Sequence, residues 1–192
     1  MIKAIIFDCF GVIYADTLAI VERKYIQKNS QKLELVKDLR RQNDLGLLTR
    51  DEFWDQAAEI LGIKRAELDT NISSAKGADW ELLEYIKQLK KEYKTAILSN
   101  VGQGFLERIF DSNHPQSQYF DTLIASGDHG VTKPDKEIYM IAADKLGVHP
   151  QECVFIDDLE RHTNGASRVG MKTIIYQDFE TMKTELQMFL ES

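Results

Sequence analysis

The chain has 192 residues, of which 43% are hydrophobic and 29% charged, and its formal net charge is -7. This length suits one α/β domain with a small insertion, and the negative charge argues against a nucleic-acid partner, because phosphate backbones attract Lys and Arg. No apolar run reaches the ~20 residues that cross a bilayer, and the start MIKAIIFD lacks the form of a secretion signal. We therefore expect a cytoplasmic protein without a membrane or nucleic-acid partner.

Five short apolar segments rich in β-branched residues predict strands, at residues 2–7, 95–98, 122–125, 153–156 and 173–176. Helical patterns separate the later segments, and Gly147 ends one of them. Strands that lack polar alternation and alternate with helices indicate a parallel sheet covered on both faces. The predicted fold class is therefore α/β, with a doubly wound parallel sheet. Cys9 and Cys153 lie in or beside these segments, so we expect buried core cysteines and no disulfide.

Residues 15–85 interrupt this alternation, since they contain helical patterns and no convincing strand. Thr49 with Glu52 predicts a capping box at the start of one helix, and Gly62 predicts its end. A preceding helix is indicated by Leu33, Val36, Leu39 and Leu47. We interpret residues 15–85 as a helical bundle, here called the lid, inserted into an α/β core of residues 1–14 and 86–192. The chain would return to the sheet through a helix that begins near Asp79.

Polar residues follow the predicted strands at their carboxyl ends, where open parallel sheets bind ligands. The set comprises a single acid, a hydroxyl, an amide, a cation and an acidic pair: Asp8, Ser99, Asn100, Lys133, Asp157 and Asp158. Any one of these alone is more often a turn, cap or solvated residue. Their order at successive strand ends favours one shared site.

The chemistry that such a set suits is phosphoryl transfer through a covalent aspartyl phosphate. Asp8 would attack phosphorus, while Ser99, the Asn100 amide and Lys133 would hold the remaining phosphate oxygens. A divalent cation would bridge Asp8, the acidic pair and a phosphate oxygen. Mg²⁺ fits this role because it prefers carboxylates, carbonyls, water and substrate phosphate.

Four motifs in order make the chain resemble the haloacid dehalogenase-like hydrolase superfamily, whose members are mostly phosphatases. They read FDCFGVI, ILSN, GVTKPDKEIY and FIDDLERHTNGASRVGM. The resemblance covers the core at both ends of the chain, and the lid is similar to that of the subfamily with a helical cap after motif one. It implies that Asp8 is the nucleophile, that Ser99 and Lys133 bind phosphate, and that the lid sets specificity.

The resemblance also implies a metal site. Asp158 would be the direct ligand of Mg²⁺, Asp157 would hold a metal-bound water, and Phe10 would contribute its backbone carbonyl. Phe10 nevertheless departs from the family pattern, because most of these phosphatases carry a second Asp at this position. That acid protonates the leaving alcohol and then takes a proton from the attacking water, a contribution of typically ~10²–10⁴-fold.

Three interpretations stay open. The first is a magnesium-dependent phosphatase of small phosphorylated metabolites, weakened at Phe10, with protons moved by water, by Asp16 or by His129. Both residues have the more ordinary reading of a helix cap or a solvated loop residue. Another is a non-catalytic descendant that binds a phosphorylated ligand or a protein. The sequence leaves the physiological substrate and the oligomeric state open.

The remaining interpretation is a haloacid dehalogenase. The dehalogenase branch of the family also has an aromatic residue at the position of Phe10. Arg40 or Arg41 would then hold a substrate carboxylate, and Tyr139 matches a Tyr of that branch. Dehalogenases, however, have neutral residues in place of the acidic pair, so the pair favours a metal-dependent phosphatase. His162, one helical turn beyond the pair, is expected to face solvent.

Overall fold

The fold is that of a computed structural model, which describes residues 1–26, 29–73, 77–111 and 114–191. At its centre lies a five-stranded parallel sheet with the order β3-β2-β1-β4-β5. The strands are β1 (Ala4–Phe7), β2 (Lys94–Ser99), β3 (Thr122–Ala125), β4 (Cys153–Asp157) and β5 (Lys172–Ile175). Each one overlaps its predicted segment, and the predicted α/β class is confirmed.

Helices cover both faces of this sheet. The described residues contain the helices α1 (Thr17–Tyr25), α2 (Ser30–Asp44), α3 (Arg50–Leu61), α4 (Arg65–Ser73), α5 (Trp80–Leu89), α6 (Phe105–Ile109), α7 (Lys136–Leu146), α8 (Glu160–Arg168) and α9 (Phe179–Leu190). Helices α5, α6 and α9 pack on one face, and α7 and α8 pack on the other. None of the helices described has both the length and the apolar character needed to cross a membrane.

Side chains of the central strand β1 alternate between two separate apolar clusters. Ile5 and Phe7 belong to the cluster under α5, whereas Ala4 and Ile6 belong to the cluster under α7, and all four are fully buried. Burial on both faces explains why the strand sequences lack polar alternation. Cys9 and Cys153 are buried and free, as predicted.

The lid helices α1–α4 enclose an apolar cluster of their own, which includes Val21, Leu39, Phe53 and Leu68. The Thr49–Glu52 capping box is formed, and Gly62 ends α3 at φ 75°. Leu47, in contrast, lies beyond the end of α2 and is 67% exposed. Its predicted place on that helix was wrong because the chain turns at Gly46, where φ is 74°.

Helix α5 begins directly after Asp79, which caps it. Its buried residues Leu82, Leu83, Ile86 and Leu89 all belong to the cluster against the sheet. The predicted lid boundary at residue 85 therefore falls inside a helix that packs on the sheet as a whole. The division of the chain into a core and a lid stays a prediction.

Candidate active site

The carboxyl ends of β1, β2 and β4 bring the predicted site residues to one edge of the sheet. Phe7 is paired with Ile97 on one side and with Ile156 on the other. This register places Asp8, which follows Phe7, level with the last residues of β2 and β4. The Asp8 N–H donates to the Ile156 carbonyl at 2.8 Å, so the pairing extends to the candidate nucleophile itself.

Lys133 joins the two acids at this edge. Its Nζ lies 2.9 Å from Asp8 Oδ1 and 2.6 Å from Asp157 Oδ2, and its side chain is fully buried. Asn100 holds the Lys133 backbone, because its Nδ2 donates to the Lys133 carbonyl at 3.0 Å and its Oδ1 accepts from the Lys133 N–H at 2.8 Å. The Asn100 side chain therefore positions the lysine loop. Ser99 is 2% exposed and lines the cavity above Asp8.

His162 belongs to the same buried group, so the expectation that it faces solvent was wrong. It is 4% exposed, and its Nδ1 lies 3.0 Å from Asp157 Oδ2. The cause is local: α8 begins at Glu160, only three residues after β4, and its first turn carries His162 back over the strand end. A His five residues after a strand-terminal Asp, in the first turn of the following helix, is the signal that could have found it.

Charge within this buried group is balanced by close pairing. Burial alone would raise the pKa of Asp157, but the Lys133 ammonium and the His162 ring hold it well below its usual range. Burial acts to lower the pKa of Lys133, yet Asp8 and Asp157 together raise it. Burial raises the pKa of Asp8. The Asp157 charge raises this pKa further, whereas Lys133 lowers it. Lys133 is thus a fixed cation between two carboxyl groups.

The Asp158 carboxylate is the group at this site that is best suited to bind a cation. Among the described residues, its buried Oδ1 has no hydrogen-bond partner. A Cβ on Gly11 would lie 2.5 Å from the Asp158 carboxylate, so this acid rests directly on the backbone that follows Asp8. Burial and the neighbouring Asp157 raise the pKa of Asp158. A hard divalent cation would satisfy such an oxygen, and carboxylates are the ligands that Mg²⁺ prefers.

A second acidic grouping lies beside it. Ligand atoms of Asp8, Asp157 and His162 lie within 4.8 Å of one another. Asp157, however, already accepts bonds from Lys133, from His162 and from the Leu159 N–H at 2.8 Å. The unpartnered Asp158 oxygen is therefore the better candidate for direct contact with a metal.

A cavity of about 880 Å³ opens above this edge, between the core and the lid. Asp8, Phe10, Ser99, Asn100 and Lys133 line it from the core, and the lid residues around it include Asp16, Arg40, Arg41, Asp44 and Trp54. The Phe10 ring stacks edge-to-face on Phe105 at a centroid distance of 5.7 Å. His129, Tyr14 and Tyr25 are not among the described residues that line the cavity.

Arg40 crosses the lid side of the cavity with its charge already paired. Its Nε lies 2.6 Å from Glu22 Oε1, and its Nη1 lies 3.4 Å from Asp16 Oδ2. Its Nη2 is buried without a hydrogen-bond partner in the described part of the chain. Asp16 also caps α1, because its Oδ1 accepts from the Ala19 N–H at 2.9 Å. The ordinary reading of Asp16 as a helix cap is thus observed.

Tyr139 is fully buried beneath the site. Its hydroxyl donates to the His162 backbone carbonyl at 2.7 Å, and its ring stacks on Phe155. It is absent from the described lining of the cavity. Tyr139 therefore supports the start of α8 and does not face a ligand.

Residues 2–170 match the model of a family described as haloacid dehalogenase-like hydrolases. The chain belongs to this family. The resemblance carried by the four motifs is thereby confirmed, and with it the identification of the chain as a hydrolase.

Among curated proteins, the D-ribitol-5-phosphate phosphatase of Bacteroides thetaiotaomicron is 26% identical over 206 residues, with all of both chains covered. The bifunctional epoxide hydrolase 2 of Sus scrofa is 33% identical over 121 residues, and the match spans 59% of this chain but 21% of that enzyme. The (S)-2-haloacid dehalogenase 4A of Burkholderia cepacia is 32% identical over 92 residues, or 47% of this chain and 39% of that enzyme.

Among solved structures, a family enzyme of Bacteroides thetaiotaomicron in complex with magnesium and inorganic phosphate superposes with a TM-score of 0.75. The identity is 22%, and the match covers 95% of this chain and 99% of that one. At this level of identity the likeness shows the fold.

Proposed function

We propose that the chain is a magnesium-dependent phosphatase of small phosphorylated metabolites that transfers the phosphoryl group to Asp8. The observation that carries this proposal is the buried Asp158 oxygen without a partner, at the same sheet edge as Asp8 and Lys133. A dication is the group that would satisfy it. The full-length similarity to a phosphatase of a phosphorylated polyol adds support.

The metal would be held by Asp8, Asp158 and the Phe10 carbonyl, with Asp157 holding a metal-bound water. Mg²⁺, when bound, neutralises charge on the phosphate oxygens and so lets an anionic carboxylate approach phosphorus. Because Asp157 already has Lys133, His162 and the Leu159 N–H as hydrogen-bond partners, it suits a position beside the metal better than direct coordination to it.

The chain's own residues divide the remaining work. Asp8 attacks phosphorus, and the bond between phosphorus and the ester oxygen breaks. Lys133 and the Ser99 hydroxyl hold the phosphate oxygens that gain charge in the transition state. Since the Asn100 side chain is bound to the Lys133 backbone, we assign phosphate contact at this position to the Asn100 backbone N–H. Water then releases phosphate from Asp8.

The lid side of the cavity suits a carbon skeleton with hydroxyl groups. Arg40, a hydrogen-bond donor, lines this wall together with Asp16 and Asp44. Glu22 and Asp16 already balance the Arg40 charge, so a hydroxyl oxygen suits this donor better than a second anion. We therefore place sugar and polyol monophosphates ahead of phosphorylated acids.

Dehalogenation ranks second, on the similarity to a haloacid dehalogenase and the aromatic side chain of Phe10. It would need a cation for the substrate carboxylate; Arg40 is already paired with two acids, which leaves Arg41 on the same cavity wall for that role. The Tyr139 hydroxyl is bound to a backbone carbonyl beneath the site. Two further carboxylates, Asp157 and Asp158, would also repel an anionic acid in the absence of a metal.

The test is hydrolysis of p-nitrophenyl phosphate and of a panel of phosphorylated metabolites, with Mg²⁺ and then with EDTA. We expect turnover that needs Mg²⁺ and that is lost in Asp8→Asn. Metal-independent turnover would contradict the proposal, as would metal binding with no turnover on any phosphate ester, which fits a binding protein. Halide release from 2-chloropropionate without metal would favour dehalogenation.

A further inference from the structure

Phe10 leaves the proposed phosphatase without the second Asp that the family resemblance implies beside the nucleophile. The ring lines the cavity and packs against Phe105, at 5.7 Å between centroids, and near Tyr14, at 6.5 Å. A hydrocarbon ring neither gives nor takes a proton. An alkyl phosphate ester needs one at its leaving oxygen, and a positioned cavity residue supplies it more efficiently than water does.

Most titratable groups on the described cavity wall are committed elsewhere. Glu52 completes the capping box of α3, and its pKa is lowered by its bonds to the Thr49 N–H and hydroxyl. Asp16 caps α1 with one oxygen and faces Arg40 with the other. His162 has Nδ1 on Asp157 and Nε2 3.3 Å from the Arg161 Nε. The remaining carboxyl group is that of Asp44.

Asp44 is the last residue of α2 and is fastened to the core. Its backbone carbonyl accepts a 2.6 Å bond from the Ser126 hydroxyl, which itself accepts from the Val101 N–H at 3.0 Å. Two residues later, Gly46 lies against the Gly127 backbone. These contacts anchor the Asp44 backbone to the loop after β3, and Asp44 is one of the residues that line the cavity together with Asp8 and Lys133.

The Asp44 carboxyl group has little hydrogen bonding of its own. In the described part of the chain, its one hydrogen bond comes from Asn43 Nδ2, at 3.4 Å. Burial raises its pKa to about 7, against the lowering effects of Arg40 and Asn43 on its own helix and of Lys133 across the cavity. Asp16, from the loop before α1, adds to the rise. At neutral pH both protonation states are therefore populated, which suits a group that must give and then take a proton.

Resting on the proposed phosphatase activity, we propose that Asp44 is the catalytic acid and base that stands in for the missing side chain at Phe10. As Asp8 bonds to phosphorus and the phosphorus–ester oxygen bond breaks, the protonated Asp44 gives its proton to the leaving alkoxide. The Asp44 carboxylate then takes a proton from the water that attacks phosphorus. The bond to Asp8 breaks, and inorganic phosphate leaves.

The experiment compares kcat/KM of Asp44→Asn on D-ribitol 5-phosphate, whose leaving group needs a proton, and on p-nitrophenyl phosphate, whose leaving group does not. We expect a loss of ~10²-fold or more on the first and less than ~10-fold on the second. Asp38→Asn, at an exposed position of the same helix, should leave both unchanged. Equal losses on the two substrates, or no loss, would overturn the inference.

A pH profile gives a second readout. The first step needs the protonated acid, so kcat/KM of the wild type on the alkyl ester should fall as pH rises through about 7. This limb should disappear in Asp44→Asn, and its persistence would overturn the inference. Asp44→Glu keeps the carboxyl group, so it should retain the limb and more activity than Asp44→Asn. No turnover of either ester by the wild type with Mg²⁺ would instead overturn the proposed function, and this inference with it.

Discussion

The backbone carbonyl of Asp44, at the end of lid helix α2, accepts a 2.6 Å hydrogen bond from the Ser126 hydroxyl of the core. Gly46 continues this contact, because a Cβ at this position would overlap the Gly127 carbonyl. The lid is thus fixed to the core at the edge of the sheet that carries the candidate active site.

Gly46→Ala tests this junction. The added Cβ would strain a left-handed backbone, at φ 74°, and would overlap the Gly127 carbonyl. The free energy of unfolding, measured by urea titration, should therefore fall by more than ~1 kcal/mol. Gly130→Ala is the matched control, since its φ is 67° but no heavy atom lies within 4 Å of the added Cβ. Equal losses in the two variants would show that the junction packs loosely.

His162→Ala should destabilise the protein. The substitution removes a buried ring nitrogen 3.0 Å from the charged Asp157 Oδ2, and a hydrogen bond to a charged group contributes about 1.5–3 kcal/mol. His114→Ala removes an exposed ring that lies 2.7 Å from Asp111, and its effect should stay within about 0.5 kcal/mol. Urea titration measures both, and similar values would contradict the buried placement of His162.

Asp158→Asn should weaken Mg²⁺ binding, because it replaces the carboxylate whose oxygen is buried and unpartnered. Isothermal titration with Mg²⁺ should show a loss of affinity greater than ~10-fold, the lower bound for residues that only support a ligand. Asp144→Asn, on the exposed side of α7, should bind as the wild type does. Unchanged affinity in Asp158→Asn would show that Asp158 is not a ligand of the metal.

Phe10→Asp should restore proton transfer beside the nucleophile. Its kcat/KM on alkyl phosphates should rise more than its kcat/KM on p-nitrophenyl phosphate, because the nitrophenolate leaves without a proton. In the Asp44→Asn background, the same change should recover activity on the alkyl ester. Steady-state kinetics on both substrates provide the measurement, and equal gains on the two would contradict the proton-transfer argument.

The sheet and the residues at its edge could be predicted because both are local features of the sequence. An uninterrupted apolar run such as residues 2–7 indicates a strand that is buried on both faces. The residue after this run then lies at the carboxyl edge of the sheet. Gly62 and the Thr49–Glu52 pair likewise fix the ends of α3 by chemistry within a few residues.

The burial of His162 was predicted wrongly and Asp44 was missed, because the surroundings of both residues come from other parts of the fold. His162 faces Asp157 only once α8 packs over β4, and the Asp44 carbonyl bonds to Ser126, 82 residues later in the chain. A faint signal existed for Asp44. An acid at the last residue of a helix faces the negative end of the helix dipole, which is an unfavourable placement for a carboxylate.

The most direct measurement is rapid acid quenching of the wild type mixed with p-nitrophenyl phosphate and Mg²⁺, followed by peptide mass spectrometry. The proposed chemistry predicts a phosphoryl group on Asp8 that is absent in EDTA and in Asp8→Asn. Sustained turnover with no phosphoryl group on the Asp8 peptide at any quench time would contradict it.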